Sequence, residues 1–227
     1  MSDIKYIIIR QKRKSVSIRI LPDLTAEIKC PLLFPGSELK RVIAQKEKWI
    51  KEHMETVRER NENKSEFSLN YGDSVLIMAR EYPIVSQKGN KVAFDGSKVI
   101  MPEGLDVEQI KRAMVKLYKI TAKNVLTEKL AKYAKLMGLE PGSIKVNSAK
   151  KRWGSCSSSG NINFTWFLIL ADESSIDYVI VHELAHIIHL NHSDKFWAEV
   201  KKIIPEYKLC QNSLKVLQQR LANEDWE

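Results

Sequence analysis

The chain has 227 residues, 44% of them hydrophobic and 29% charged, with a formal charge of +9 and a pI near 9.3. That is enough for one large domain or two small ones with a real core, and the balance is that of a globular protein. No apolar run approaches the roughly 18 residues that a membrane-crossing helix needs, so no membrane partner is expected.

The start, Met1-Ser2-Asp3-Ile4-Lys5, lacks the basic-then-apolar layout of a signal peptide. Cys30, Cys156 and Cys210 are too few and too far apart for a disulfide framework or a C-x-x-C site. A reducing cytoplasm is the expected compartment. The positive charge favours anionic partners, or is simply a basic surface.

Residues 4–10 are apolar and β-branched. Ser15-Val16-Ser17-Ile18-Arg19-Ile20 alternates as a half-buried strand does, and 25–30 reads as its hairpin partner after the turn Leu21-Pro22-Asp23. The loop Arg10-Gln11-Lys12-Arg13-Lys14 between the first two strands is densely basic: a solvated turn, or a phosphate contact through Arg13 and Lys14. Pro31 and Pro35-Gly36 break the sheet. Ser37 is placed to cap a helix over about 38–61. Its stripe runs Leu39, Val42, Ile43, Lys46, Trp49, Ile50, Met54 and Val57, with the Lys46 stem covering a gap. His53 adjoins this stripe as packing or surface. Residues 61–66 read as a connector.

Residues 67–101 read as short strands with turn signals at Asn70-Tyr71-Gly72-Asp73, Lys88-Gly89-Asn90 and Asp95-Gly96. Pro102-Glu103-Gly104 marks the expected boundary between a β-rich region with one long helix (1–104) and a catalytic region (105–227). A helix is expected over 106–137. Val107, Ile110, Met114, Leu117, Ile120, Leu126, Leu130, Ala134 and Met137 recur at three- and four-residue steps, and the other faces are rich in lysine. Those faces are solvated, or they meet an anion such as nucleic acid. Gly138 ends the helix.

Pro141-Gly142 is a turn and 144–147 a short strand. Lys150-Lys151-Arg152-Trp153-Gly154-Ser155-Cys156 then leads through a Ser-rich turn to the alternating Asn161-Ile162-Asn163-Phe164-Thr165-Trp166. We read 144–170 as a hairpin packed on the following helix, with an edge that could take an extended peptide as an added strand. Ser174 or Ser175 caps that helix. Another helix spans about 193–204, with Phe196, Trp197 and Val200 inward, and a last one about 212–223.

Four of the five histidines fall within Val181-His182-Glu183-Leu184-Ala185-His186-Ile187-Ile188-His189-Leu190-Asn191-His192-Ser193. On a helix, His182 and His186 lie one turn apart, about 6 Å along the axis on one face. That suits two imidazoles on one zinc ion. Glu183 is rotated by about 100° from His182, beside the metal rather than on it, where it can act as general base on a metal-bound water. A third ligand is needed. His192 reaches the ion only if the chain turns first, through a left-handed residue at Asn191 or His189. His189, on the same face, and Glu206, on a later helix, are the competing third ligands. Cys156 reads as a small buried residue, a nucleophile or a thiolate ligand.

The motifs Arg13-Lys14-Ser15-Val16-Ser17-Ile18-Arg19-Ile20, Lys48-Trp49-Ile50, Arg152-Trp153-Gly154-Ser155-Cys156-Ser157 and 176–186 through Asn191-His192-Ser193 to Phe196-Trp197, Pro205 and Tyr207 resemble the YgjP-like family of predicted zinc-dependent hydrolases, relatives of SprT-like and WLM metalloproteases. The resemblance implies an α+β fold with a zincin-like catalytic domain, one zinc per chain on His182, His186 and His192, and Glu183 as the catalytic residue. Arg152, Tyr178, His189 and Tyr207 are candidate substrate or transition-state contacts.

The expected activity is that of a metallopeptidase acting on peptide or protein. A nucleotide pyrophosphatase is the alternative, with Arg13, Lys14, Lys150 and Lys151 on the phosphates of a triphosphate such as UTP. A DNA-associated protein with a protease-like metal site is the third.

Overall fold

The computed structural model describes residues 4–62 and 67–226. Residues 1–3, part of the start read for a signal peptide, and 63–66, most of the expected connector, lie outside the described residues. The chain divides into two compact units, Met1–Glu66 and Phe67–Glu227. The class is α+β, as expected, with five helices and three small sheets among the described residues. No described helix is long and apolar enough to cross a membrane.

In the first unit, β1 (Tyr6–Gln11), β2 (Ser17–Ile20) and β3 (Ala26–Pro31) form a sheet in the order β1-β3-β2. The expected hairpin is there: β2 and β3 pair antiparallel, while β1 adds to β3 in parallel. Ile28 and Cys30 of β3 and Leu39 of α1 (Gly36–Glu62) make a small core, with Val16, Ile18, Phe34 and Ile43 packed against it. Lys46 is exposed, so its stem covers no gap in the stripe. His53 is also exposed and stacks on Trp49, its Nδ1 3.0 Å from the Trp49 carbonyl oxygen.

The second unit begins with the sheet β4-β5-β7-β6, made of β4 (Ser74–Ile77), β5 (Arg80–Gln87), β6 (Ala93–Phe94) and β7 (Val99–Pro102). This corrects the expected boundary at 104/105. Pro102-Glu103-Gly104 is a turn, with Gly104 at φ 77°. Yet Ile84, Val99 and Met101 on the strands before it share one core with Ile110 and Met114 beyond it. Burial of that common apolar surface makes 67–227 one body.

Helix α2 (Val107–Met137) has both of its expected ends. Asp106 caps it through a reciprocal pair with Gln109, and Gly138 stops it in the left-handed conformation at φ 66°. Its stripe holds Ile110, Met114, Leu117, Ala122, Leu126, Leu130 and Ala134. Ile120 departs from the expectation and is exposed; Tyr118 goes inward instead and stacks on Trp166, 5.3 Å between ring centroids.

The basic faces of α2 are partly neutralised at home. Lys111 pairs with Glu108, and Lys129 with Glu173 and Asp177.

Next come β8 (Ile144–Asn147), β9 (Gly154–Cys156) and β10 (Ile162–Thr165), in the order β8-β10-β9. β9 and β10 form the antiparallel hairpin, and β8 lies parallel to β10. A fully buried 3-10 turn, Trp166–Leu170, links them to α3 (Glu173–Ile188). The last helices are α4 (Asp194–Ile203) and α5 (Tyr207–Leu221).

The N-cap of α3 is Asp172, not Ser174 or Ser175. Its carboxylate accepts from the Ser175 amide at 2.8 Å and from both serine hydroxyls, so the serines brace the cap. Lys129, 12% exposed along its side chain, ties α2 to the first two turns of α3 through Asp177 at 2.8 Å and Glu173 at 2.7 Å. Burial would push the lysine's pKa down, but the hydrogen bonds to Asp177 and Glu173 prevail and raise it. Asp177 is only 14% exposed, so Lys129→Ala leaves a largely buried carboxylate without its cation. We expect a loss of about 2–3 kcal/mol in urea unfolding at neutral pH. An unchanged midpoint would show that this pair does not anchor α3.

Candidate metal centre

Helix α3 is anchored in the core by Ile176, Tyr178, Val179, Ile180, Val181, Leu184 and Ala185, all buried, and so holds the histidine pair in place. His182 and His186 emerge on one side, their ring centroids 4.9 Å apart. The helix ends at His189, whose amide still bonds to the Ala185 carbonyl but whose backbone is extended (φ −130°, ψ 109°). The chain leaves the helix through this extended residue and bends toward His192 at Leu190 and Asn191. Neither His189 nor Asn191 adopts the expected left-handed conformation. Ser193 then starts α4, and the short tether brings His192 back over the helix.

His182, His186 and His192 have their ligand atoms within 4.8 Å of one another, and they form the only such cluster of three among the described residues. Nε2 of His192 lies 3.1 Å from Nε2 of His182. Two nitrogens on one tetrahedral zinc stand about 3.3–3.4 Å apart. The opposite nitrogens are engaged. Nδ1 of His186 donates to the His189 carbonyl oxygen at 3.1 Å, and Nδ1 of His182 faces the Tyr178 hydroxyl at 3.4 Å. Both residues therefore turn Nε2 toward the cluster. Burial, helped by His186 and His192, pushes the His182 pKa down to about 3, which keeps the ring neutral as a metal ligand must be. Burial lowers His186 as well.

Phe196 of α4 is fully buried beneath all three rings, its centroid 4.9, 4.6 and 4.7 Å from those of His182, His186 and His192. An aromatic row flanks the same place. Trp197 stacks on His192 at 5.6 Å, Tyr207 on Trp197 at 5.0 Å, and Tyr178 on Tyr207 at 6.3 Å.

Glu183 points elsewhere from its neighbours on α3. It is 5% exposed, packed against Gly154 of β9, and its Oε2 has no hydrogen-bond partner among the described residues. Burial pushes its pKa up to about 7, with the charge of Arg152 acting in the opposite sense. A buried carboxylate oxygen without a donor is a group that lacks part of its surroundings. The donor set thus fits a metal site: three converging imidazoles, and one acidic group outside their cluster with an oxygen to spare.

The other expected residues divide. His189 and Glu206 lie outside the histidine cluster among the described residues. His189 contributes its carbonyl instead, and Glu206 sits at the N-terminus of α5. Tyr178 lies behind His182, where its hydroxyl accepts from Gln211 Nε2 at 3.0 Å. Lys150, Lys151 and Arg152 are exposed in the loop before β9. Arg13 and Lys14 belong to the first unit, where Arg13 donates to Ser17 Oγ at 2.9 Å. Cys156 is a free thiol whose pKa is raised by burial and then by the charge of Glu183. Gln211 and Gly154 escaped sequence reasoning. A lone glutamine on a helix carries no local signal, whereas the glycine stood inside a motif that was noticed.

A family model described as a YgjP-like metallopeptidase domain matches residues 14–217. The chain belongs to the YgjP-like family. It is accordingly a metal-dependent hydrolase of metallopeptidase type, as the motifs suggested. Two solved structures to which it is similar are metallopeptidase zymogens. One is Pyrococcus abyssi abylysin, at 23% identity over 41% of this chain and 95% of that one, with a TM-score of 0.39. The other is Methanocaldococcus jannaschii jannalysin, at 22% identity over 42% and 96%, with a TM-score of 0.37. A comparison with curated proteins gives no match.

Proposed function

We propose that this YgjP-like protein is a zinc peptidase in which His182, His186 and His192 hold one ion and Glu183 is the general base. The observation that carries the reading is the convergence of three imidazoles, with Nε2 of His182 and His192 3.1 Å apart, beside a buried carboxylate with one unpaired oxygen. Zinc at such a site supplies Lewis acidity and makes water acidic enough to ionise near neutral pH.

The protein's own groups do the rest. Glu183 takes a proton from water at Oε2 and delivers it to the leaving amine. Its raised pKa, about 7, suits both tasks near neutrality. Tyr178, held by Gln211, keeps the His182 ring oriented from behind, the usual office of a group on a ligand's second nitrogen. Tyr207 and Arg152 remain the candidates for contact with the substrate carbonyl. The outer strand β9 has one edge without a strand partner among the described residues, and an extended peptide can add there. That edge favours a peptide over a nucleotide.

The test uses zinc-loaded protein with casein and a peptide panel, and separately with nucleoside triphosphates and with duplex DNA. We expect peptide cleavage that stops on chelation and returns with zinc. Pyrophosphate release without peptide cleavage would replace this reading by a nucleotide pyrophosphatase. DNA retention that falls steeply with salt, again without cleavage, would favour the nucleic-acid reading.

A further inference from the structure

We infer that Gly154 is a positioning residue for Glu183: the missing side chain on β9 is the slot in which the carboxylate of the general base lies. The inference rests on the reading of Glu183 as that base.

A Cβ placed on Gly154 would stand 2.6 Å from Oε1, 2.7 Å from Cγ and 2.8 Å from Cδ of Glu183. Carbon atoms in contact normally keep about 3.5–4.0 Å. The clash involves the stem as well as the tip, so a small turn of the carboxylate does not relieve it. Nor has the side chain free space to enter. Glu183 is 5% exposed, and the next two residues of α3, Leu184 and Ala185, are fully buried.

A second observation puts the carboxylate along the same strand. Cys156 is two residues from Gly154, hence on the same face of β9, and its thiol is held up partly by the charge of Glu183.

Nothing else about position 154 calls for glycine. Its φ lies outside the left-handed region, unlike that of Gly160 at 74° in the turn that follows. It sits in a paired strand opposite Phe164, where glycine is a weak choice. The three nearest atoms that a side chain here would meet all belong to Glu183.

Gly154→Ala and Glu183→Ala, made singly and together, test this in zinc-loaded protein. Gly154→Ala is expected to keep one zinc per chain. Its kcat on casein peptides should fall on the order of 100-fold, as for a reacting group displaced by about 1 Å, while KM stays within about threefold. Its melting temperature should fall by about 5 °C, and by nothing when residue 183 is already alanine, because the added methyl then enters vacated space.

Equal melting shifts in both backgrounds would overturn the inference, as would full kcat or loss of zinc in Gly154→Ala. If the native chain cleaves no peptide, the functional reading fails, and the melting cycle still decides the role of Gly154.

Discussion

Glu183→Gln is expected to reduce peptide turnover by about 10²–10⁴-fold while leaving one zinc per chain, because the amide keeps the shape of the side chain and loses its basicity. The same change should stabilise the metal-free protein above neutrality. The folded-state pKa of Glu183 is about 7, raised from 4.5 by burial. Below 4.5 the group is protonated whether the chain is folded or not, and contributes no difference. Between 4.5 and 7 the unfolded chain ionises first, so the folded state loses ground as the pH rises. Above 7 the penalty is complete, at about 3 kcal/mol for a shift of this size. The uncharged amide of the variant carries no such penalty, so the urea midpoints of the two metal-free proteins should coincide near pH 4 and separate by pH 8. Turnover that survives in the zinc-loaded variant would remove Glu183 from the chemistry. Parallel midpoints across this range would show that its carboxylate is solvated in the folded protein.

Phe196→Ala carries the largest expected cost in stability. The ring is fully buried and forms the floor under three imidazoles that it does not hydrogen-bond. Truncation leaves a cavity there, at about 3–5 kcal/mol. It also removes the surface that fixes the tilt of each ligand, so zinc should be lost to a competing chelator at lower concentration than from the native chain. Phe196→Leu fills most of the volume and should recover most of both properties. If Phe196→Ala lowers the urea midpoint and leaves zinc competition unchanged, the ring is core and nothing more.

The helix bearing the histidine pair was legible because its evidence is local: a four-residue step, an apolar surround and a terminating residue within one stretch. The third member of the cluster was harder. Which of His192, His189 and Glu206 joins the pair depends on how the chain leaves the helix, through an extended His189 and bends at Leu190 and Asn191, which residue type alone does not dictate. The cap was misplaced by two or three residues because Ser174, Ser175 and Asp172 all favour that position, and the carboxylate recruited both hydroxyls. The boundary near Gly104 was drawn at a real turn. What joins the strands before it to α2 is a shared core, and that depends on pairings between β5 and β7 that no local pattern announces. Gly154 and Gln211 touch their partners only across the fold, so Gln211 had no signal to read, and the motif that holds Gly154 did not tell what the glycine meets.

Tyr178, His182 and His186 follow one another at four-residue steps along a single helix, with Glu183 beside them. Such an arrangement behaves as a ruler. One residue inserted between positions 178 and 186 rotates everything beyond it by about 100°, separating the two imidazoles that the proposed ion needs together. Heritable change in length is therefore closed to this segment, and relatives that acquire new substrates have to acquire them elsewhere. The serine-rich turn at 157–160 and the loop at 150–152 lie largely at the surface, outside that helix. Diversification of preference in such a lineage should accumulate at those two places, around a catalytic register that cannot drift.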